Sequence, residues 1–265
     1  MQDPFLKLMR KIFPRRELIT GFGFPKLQCT TVQQIEVTHL SEIIIEAKEL
    51  TRRYGYRVAL KKISFAFTAG GVHGLFGSNG AGKTTLMRII STLLRPQSGS
   101  ITVFGFDPEE DFIEIKKRIG LIGDKPLLYP ELTGRENLEF YCKLYGIDKE
   151  TMDNGIETLS RRFGVFKWLD EPTKILSTGL RKRFDIIRCV IHSPELFLLD
   201  EPFAGLDKEA TDIFKDYINE HRSTKTVVLT THNLRLGKDF CDDYLTLRKA
   251  EIVAQGPISE FDEEM

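Results

Sequence analysis

The sequence has no excess of charge of either sign and no long apolar run. Its 265 residues include 38 Lys and Arg against 38 Asp and Glu, so the formal net charge is zero. Proteins that bind duplex nucleic acid usually carry a strong positive charge, so no nucleic-acid partner is expected. The longest stretch without a charged residue, positions 63–82, contains six glycines, and it therefore predicts no transmembrane helix.

Cysteine is scarce and shows no pairing pattern. The four cysteines lie far apart, without a CxxC spacing: Cys29, Cys142, Cys189 and Cys241. Such spacing predicts buried free thiols in a reducing compartment rather than disulfides or a metal site. Basic residues interrupt the apolar ones near the start, which predicts no secretory signal. The remaining composition, 41% hydrophobic and 29% charged, is typical of a globular protein with one large domain or two small ones.

Residues 1–41 differ from the rest and are predicted to be a basic N-terminal extension. Within positions 1–16, apolar residues recur every three or four positions, which predicts one face of a short helix that ends at Pro14. A basic amphipathic helix suits an anionic membrane surface. The alternatives to a membrane-bound helix are a helix packed on the protein and a disordered extension that is not part of the native chain. At the other end, residues 257–265 are predicted to form an acidic tail.

Between residues 42 and 256, short apolar strands alternate with helices. Strands are predicted at 43–47, 63–67, 72–76, 101–104, 119–122, 196–199, 227–230 and 244–247, and helices at 83–94, 134–145, 149–163, 180–191 and 207–221. This alternation predicts an α/β fold with a mainly parallel sheet. The helical run near 127–190 is predicted to be a subdomain inserted into that scheme.

The strongest local signal is a glycine-rich loop between the strand at 72–76 and the helix at 83–94. Positions 77–84 match GxxxxGK[ST], the P-loop pattern, in the strand–loop–helix context that this pattern requires. Its glycines let backbone N–H groups turn toward phosphate oxygens, and the helix start adds positive potential. Lys83 is predicted to reach the β- and γ-phosphates, and the Thr84 hydroxyl to bind Mg²⁺. The nucleotide-binding residues predicted here are Gly77, Ser78, Asn79, Gly80, Ala81, Gly82, Lys83, Thr84 and Thr85.

A second signal is the apolar strand at 196–199, which ends in two acids. Asp200 is predicted to hold the metal, through a water or through Thr84. Glu201 leaves the strand and is predicted to orient and polarise the attacking water. The alternative is a strand followed by a solvated acidic turn, and the presence of the P-loop argues against it.

A third signal, Ser177 and Gly179 at a helix start, predicts a further phosphate-binding surface. The chain already has a P-loop, so this second surface is predicted to serve another subunit. A simple helix cap explains the same residues when they are taken alone.

In this order, the motifs resemble those of the ATP-binding subunit of ABC transporters, over about residues 42–256. Positions 77–85 look like the Walker A motif of that family, positions 176–180 like its signature motif, with Leu180 where glutamine is common, and positions 196–201 like its Walker B motif. Asp207 then corresponds to the D-loop, His232 to the switch histidine, and Tyr54 to the aromatic residue that stacks on adenine. The resemblance implies an ABC-type P-loop ATPase with an antiparallel β subdomain, an inserted helical subdomain, ATP and Mg²⁺, and catalytic residues Glu201 and His232.

The resemblance also implies how the protein works in the cell. It implies ATP hydrolysis that powers transport through separate membrane-spanning subunits, most like an exporter, on the cytoplasmic face of the membrane. A second nucleotide-binding subunit, a copy or a paralogue, is implied as well. Asp124 stands where the family has the Q-loop glutamine, so it is a candidate Mg²⁺ ligand, with a turn cap before Pro126 as the alternative. Two other functions stay open: a soluble ABC ATPase acting on DNA or ribosomes, and a nucleotide-binding regulator without turnover.

Overall fold

The computed structural model describes residues 42–261, whose strands form two sheets. The strands are β1 (Ile43–Tyr54), β2 (Arg57–Thr68), β3 (Val72–Phe76), β4 (Ser98–Val103), β5 (Ile119–Ile122), β6 (Leu196–Asp200), β7 (Thr226–Thr230), β8 (Asp243–Arg248) and β9 (Glu251–Pro257). The larger sheet has the order β5-β6-β7-β3-β8-β9 and is parallel except for the β8–β9 pair. The smaller sheet, β2-β1-β4, is antiparallel. The predicted α/β fold, with a mainly parallel sheet and a separate antiparallel part, is confirmed.

Helices flank these sheets and dominate the middle of the chain. They are α1 (Lys83–Ile90), α2 (Phe112–Lys117), α3 (Gly134–Leu144), α4 (Lys149–Arg162), α5 (Thr178–Val190), α6 (Lys208–His221) and α7 (Leu234–Phe240), with 3-10 turns at Phe166–Trp168, Thr173–Ile175 and Ile258–Glu260. The run α3–α5 sits between β5 and β6 in sequence and forms the inserted helical part. Among residues 42–261, no helix has the length and apolar character needed to cross a membrane.

Both faces of the larger sheet are covered. Along β6, Phe197 and Leu199 join one apolar core together with residues of α5 and α6. Leu196 and Leu198 point to the other core, which also contains residues of α1 and of both sheets. The two sets alternate because successive strand residues face opposite sides of a sheet. Continuous burial of β3, β6 and β7 follows from this two-sided packing.

The sheet order brings three strand ends together. β3 lies next to β7, and β7 lies next to β6, all of them parallel. Their carboxyl ends therefore meet at one edge, the position at which α/β sheets bind ligands. Asp200 and Thr230 are directly opposite each other in the β6–β7 register. The glycine-rich loop leaves β3 at the same edge.

Several element boundaries differ from the predictions. The helix predicted to reach residue 94 ends at Ile90, because Thr92 takes a left-handed φ of +62° that a helix cannot continue. The first two strands are longer than predicted, since they pair as a hairpin that extends to Tyr54 and Arg57. The short helices α2 and α7, of 6 and 7 residues, and the edge strand β9 were not predicted. Helices this short offer too few turns for a periodicity to be recognised.

At the C-terminal end, the packed chain continues beyond β9. The ring centroid of Phe261 lies 4.9 Å from that of Phe76 and 5.0 Å from that of Tyr244.

The described cysteines, Cys142, Cys189 and Cys241, are buried and free, and burial raises the pKa of each thiol to about 12. The predictions for residues 1–41, Cys29 among them, and for 262–265 lie outside the described residues, and the predicted domain limits remain predictions.

Candidate nucleotide-binding site

The glycine-rich loop needs glycine for its path. Gly77 has a φ of +138°, and a Cβ there would lie 2.2 Å from the carbonyl oxygen of Leu247. Gly82 has a φ of +119°, and a Cβ there would lie 2.4 Å from the carbonyl oxygen of Ala59. Neither position accepts another residue without movement of the backbone. Gly82 is also the N-cap of α1 and supplies no side-chain cap, so the first N–H groups of this helix remain available to an anion.

Lys83 is folded back over the loop that precedes it. Its Nζ donates hydrogen bonds to the carbonyl oxygens of Gly77 at 2.6 Å and Ser78 at 3.2 Å. Burial lowers the pKa of Lys83, while the nearby charges of Glu201 and Asp200 act in the opposite direction. The amine is thus held at the phosphate loop by two carbonyls that a phosphate group can replace.

Asp200 is fixed by two threonine hydroxyls. Thr84 Oγ1 donates to Asp200 Oδ2 at 2.8 Å, and Thr230 Oγ1 donates to Asp200 Oδ1 at 2.5 Å. Asp200 is buried at the end of β6. The structure thus places Thr84 beside Asp200, whereas the prediction that Asp200 holds a metal through a water or through Thr84 remains a prediction. A hydroxyl and a carboxylate oxygen are both ligands that Mg²⁺ prefers.

Glu201 has an unusual backbone conformation and a defined partner. Its φ is +47°, in the left-handed region that a residue with a side chain rarely adopts. The backbone N–H donates to Thr230 Oγ1 at 3.0 Å. The carboxylate lies 2.9 Å from His232, between Oε2 and Nδ1. Strained conformations of this kind concentrate at functional sites.

A cavity of about 330 Å³ joins these features. Its lining contains most of the predicted nucleotide-site residues: Tyr54, Asn79, Gly80, Gly82, Lys83, Thr84, Thr85, Asp200 and Glu201. Gly77 and Ser78 adjoin it through their bonds with Lys83, and Ala81, within the loop, is buried. His232 lies in a neighbouring cavity together with Ser78 and Asn79. The structure thus brings together the P-loop, both acids and the exposed ring of Tyr54.

Three predicted residues lie elsewhere. Ser177 caps α5 by accepting a hydrogen bond from the Leu180 N–H at 3.2 Å, and it is exposed. Neither Ser177 nor Gly179 lines the cavity that contains Lys83. Asp207 caps α6 and pairs with Arg183, with 2.6 Å between Oδ2 and Nη2. Within a single chain, these residues do not reach the P-loop.

Asp124 is also outside the cavity. It is exposed, and the lining of the cavity with Thr84 and Asp200 does not include it. The segment that follows it is fixed at Leu127, whose N–H donates to Asp185 Oδ1 at 3.0 Å and whose carbonyl accepts from the Tyr141 hydroxyl at 2.7 Å. The role of Asp124 as a metal ligand remains a prediction. Among residues 42–261, no three His, Cys, Asp or Glu side chains form a potential metal cluster.

Sequence reasoning missed three members of the site. Arg57 and Ala59 line the cavity from β2, and Thr230 connects the two acids. Ala59 and Thr230 belong to strands and match no motif by themselves. Arg57 follows Tyr54 by three positions, and its place in the hairpin was the signal that could have identified it.

Together, the geometry is suited to a nucleotide with a metal-bound phosphate chain. The uncapped N–H groups of α1 and the amine of Lys83 suit a phosphate, and the oxygens of Thr84 and Asp200 suit a hard cation. The carboxylate of Glu201 lines the same cavity and contacts His232, and a carboxylate is chemically able to accept a proton from water.

Comparison with known proteins agrees with this geometry. A family model described as ABC transporter matches residues 60–204. The ATP-binding protein NatA of an ABC transporter from Bacillus subtilis is 37% identical over 202 residues, which cover 76% of this chain and 82% of that protein. The daunorubicin resistance ATP-binding protein DrrA3 of Streptomyces coeruleorubidus is 33% identical, over 83% of this chain and 70% of that protein. A solved ATP-binding subunit of an ABC transporter superimposes with a TM-score of 0.78 at 28% identity, over 82% of this chain and 91% of that one.

Proposed function

The chain belongs to the ABC transporter family, and from this premise we propose that it hydrolyses ATP to export a substrate through separate membrane-spanning subunits. The observation that carries the hydrolytic part is one cavity lined by Lys83, Asp200 and Glu201, with His232 bonded to Glu201. A protein that only binds nucleotide has no need of an oriented carboxylate beside the phosphate loop.

Each residue has a defined task in this proposal. Tyr54 stacks on the adenine ring, which is a favourable contact for any base. Lys83 exchanges its carbonyl partners for phosphate oxygens. Glu201 accepts the proton of the attacking water, and His232 holds the carboxylate in place. Thr84 and Asp200 hold Mg²⁺, which when bound offsets the charge of the phosphate oxygens.

The site is completed by a second nucleotide-binding subunit in this proposal. Ser177 is exposed and Gly179 is half-buried, and neither lines the cavity of its own P-loop, so they are free to cover the nucleotide of a partner. The helix start at Ser177 offers N–H groups suited to an anion. Asp207, tied to α5 through Arg183, would move with Ser177 as the two subunits close.

Export and a peripheral position at the cytoplasmic face of the membrane are part of the same proposal. The daunorubicin resistance protein is named for a resistance function, which fits outward transport. No helix of the described residues is long and apolar enough to cross a membrane. In this proposal the pore belongs to separate membrane-spanning subunits.

The membrane partner provides the test. The tagged full chain is cross-linked in its native membrane, and the multi-spanning proteins bound to it are identified. One of these proteins is co-expressed with the chain, and the complex is reconstituted into lipid nanodiscs. We expect the complex to release phosphate from ATP several-fold faster than the chain alone, and the Glu201→Gln complex to lose this activity. An unchanged rate in the complex, or recovery of the chain on ribosomes or DNA, would contradict the transport function.

A further inference from the structure

Arg57 occupies a place at the nucleotide cavity that no motif assigns. It is the first residue of β2 and lies directly opposite Tyr54 in the hairpin register. Only Gly55 and Tyr56 separate the two, with Gly55 at a φ of +56°. A hairpin this tight fixes the two residues side by side. Both of them line the cavity.

The guanidinium of Arg57 lies on the phosphate loop itself. Nη2 donates to the carbonyl oxygen of Gly80 across 3.4 Å, a long hydrogen bond. A Cβ on Gly80 would come within 2.5 Å of the same nitrogen, so the guanidinium sits directly over the glycine. The absence of a side chain at position 80 is what gives it room.

This cation has no carboxylate partner among residues 42–261. The cavity lining contains two carboxylates: Asp200 already has both oxygens bound by Thr84 and Thr230, and Glu201 is bound by His232. A guanidinium carries five N–H donors and stays charged at all physiological pH values. One long bond to Gly80 leaves most of these donors available within the cavity.

We propose that Arg57 binds the phosphate chain of the nucleotide from the hairpin side of the cavity, as a second cation beside Lys83. The planar fork of an arginine matches two phosphate oxygens at once, whereas a lysine amine acts as a point charge. The ligand class is a nucleoside di- or triphosphate, because a nucleoside offers this fork no anion. The proposal rests on the nucleotide binding of the proposed function and adds a residue to it.

The test compares ligands with and without phosphate. Dissociation constants for ATP and ADP with Mg²⁺, and for adenosine by saturation-transfer NMR, are measured on the wild-type full chain, Arg57→Gln and Arg53→Gln. Arg53 is the matched control, because it is an exposed arginine of the same hairpin outside the cavity.

We expect Arg57→Gln to weaken ATP and ADP about tenfold, the effect of losing one charge-assisted hydrogen bond at an exposed site, and to leave adenosine unchanged. Arg53→Gln should bind all three ligands as the wild type does. Equal ATP affinity in Arg57→Gln and wild type, or an equal loss for adenosine and ATP, would overturn the proposal and leave the proposed function intact. A wild-type chain that binds no ATP would overturn both.

Discussion

Thr230 connects the two acids of the site through a single hydroxyl. It donates to Asp200 Oδ1 and accepts from the N–H of Glu201, which fixes the metal-binding carboxylate and the strained backbone beside it. Thr230 is fully buried at the end of β7, so no water can replace the hydroxyl without a rearrangement of the core.

Thr230→Val keeps the shape of this side chain and removes both hydrogen bonds. We expect the free energy of unfolding to fall by about 1–3 kcal/mol, since a buried carboxylate oxygen and a backbone N–H lose their partner. Phosphate release should fall at least tenfold, because Glu201 loses its anchor. Urea unfolding and a phosphate-release assay measure the two effects, and Thr230→Ser should recover both. Equal activity in Thr230→Val and wild type would show that Thr230 does not position the acids.

At the residue scale, residues that belong to a local motif could be predicted from the sequence, whereas the contacts between strands could not. Asp200 and Lys83 could be assigned because their motifs have fixed spacing and adjoin strands of recognisable pattern. Thr230 and Arg57 could not, since Thr230 contacts residues 29 and 30 positions away and Arg57 contacts Gly80, 23 positions away. The link between Glu201 and His232 likewise depends on the β6–β7 pairing, which no local pattern specifies.

At the scale of elements, α5 carries a buried ion pair that fixes the segment after β5. Asp185 Oδ1 accepts from Arg188 Nε at 2.7 Å and from the Leu127 N–H at 3.0 Å. Arg188 also donates to the carbonyl oxygen of Leu121. Both charged side chains are buried. The helical insertion is thus bonded to the chain on both sides of Asp124.

Asp185→Asn removes the charge that compensates Arg188. We expect a loss of about 3 kcal/mol in the free energy of unfolding, because breaking a buried pair leaves a charge without compensation. Urea unfolding measures it. Asp153→Asn, which breaks an exposed pair with Lys149, is the control and should leave the free energy nearly unchanged. An equally small loss for Asp185→Asn would contradict the structural role of the pair.

His192 predicts a pH dependence of stability. Its ring stacks on Tyr145 with 3.8 Å between centroids, and Nε2 lies 3.0 Å from the carbonyl oxygen of Ile119. Burial lowers the pKa of His192 to about 4, well below its ordinary value of about 6.5. Between these values the unfolded chain binds the proton and the folded chain does not, so the stabilising contribution is present above pH 6.5 and lost as the pH falls toward 4.

His192→Gln tests this directly, because its amide can still donate to Ile119. Acidification from pH 7 to pH 5 should cost the wild type about 1–2 kcal/mol more of its free energy of unfolding than it costs the variant. Urea titrations at the two pH values measure the difference. The pKa of His73 is also lowered by burial. Because His73 is present in both proteins, its contribution cancels in the difference between them. If the free energy of unfolding fell by the same amount in wild type and variant, His192 would not be neutral and buried in the folded chain.

Element lengths were predicted less well than element types. The helix at α1 was predicted after the glycine-rich loop, but its end depends on the left-handed conformation of Thr92, which no residue type announces. Strands β1 and β2 continue beyond their apolar segments because backbone pairing, not side-chain pattern, sets their length. No residue of β9 is buried, so no core-facing pattern marks this strand in the sequence, and it forms by pairing with the neighbouring β8.

At the scale of the whole molecule, the exposed Ser177 and the P-loop of one chain predict an active site shared between two chains. Lys83→Ala should disable the site that holds its own nucleotide, and Ser177→Arg should disable the site of the partner. A mixed dimer carries both defects in one site and keeps the other intact, so mixing two inactive variants should restore activity, up to about half of the wild-type rate per mixed dimer. Phosphate release across mixing ratios measures it. No recovery, with mixed dimers confirmed, would contradict a role of Ser177 in trans.

The account depends most on Glu201 as the base for ATP hydrolysis, and the direct measurement is phosphate release by Glu201→Gln together with its ATP affinity. Glutamine keeps the size of the side chain and cannot accept the proton. Hydrolysis should fall by about 10²–10⁴, the usual contribution of a general base, with ATP affinity retained. Glu209→Gln, an exposed change at the start of α6, is the control and should leave the rate unchanged. Near-normal hydrolysis by Glu201→Gln would contradict the account.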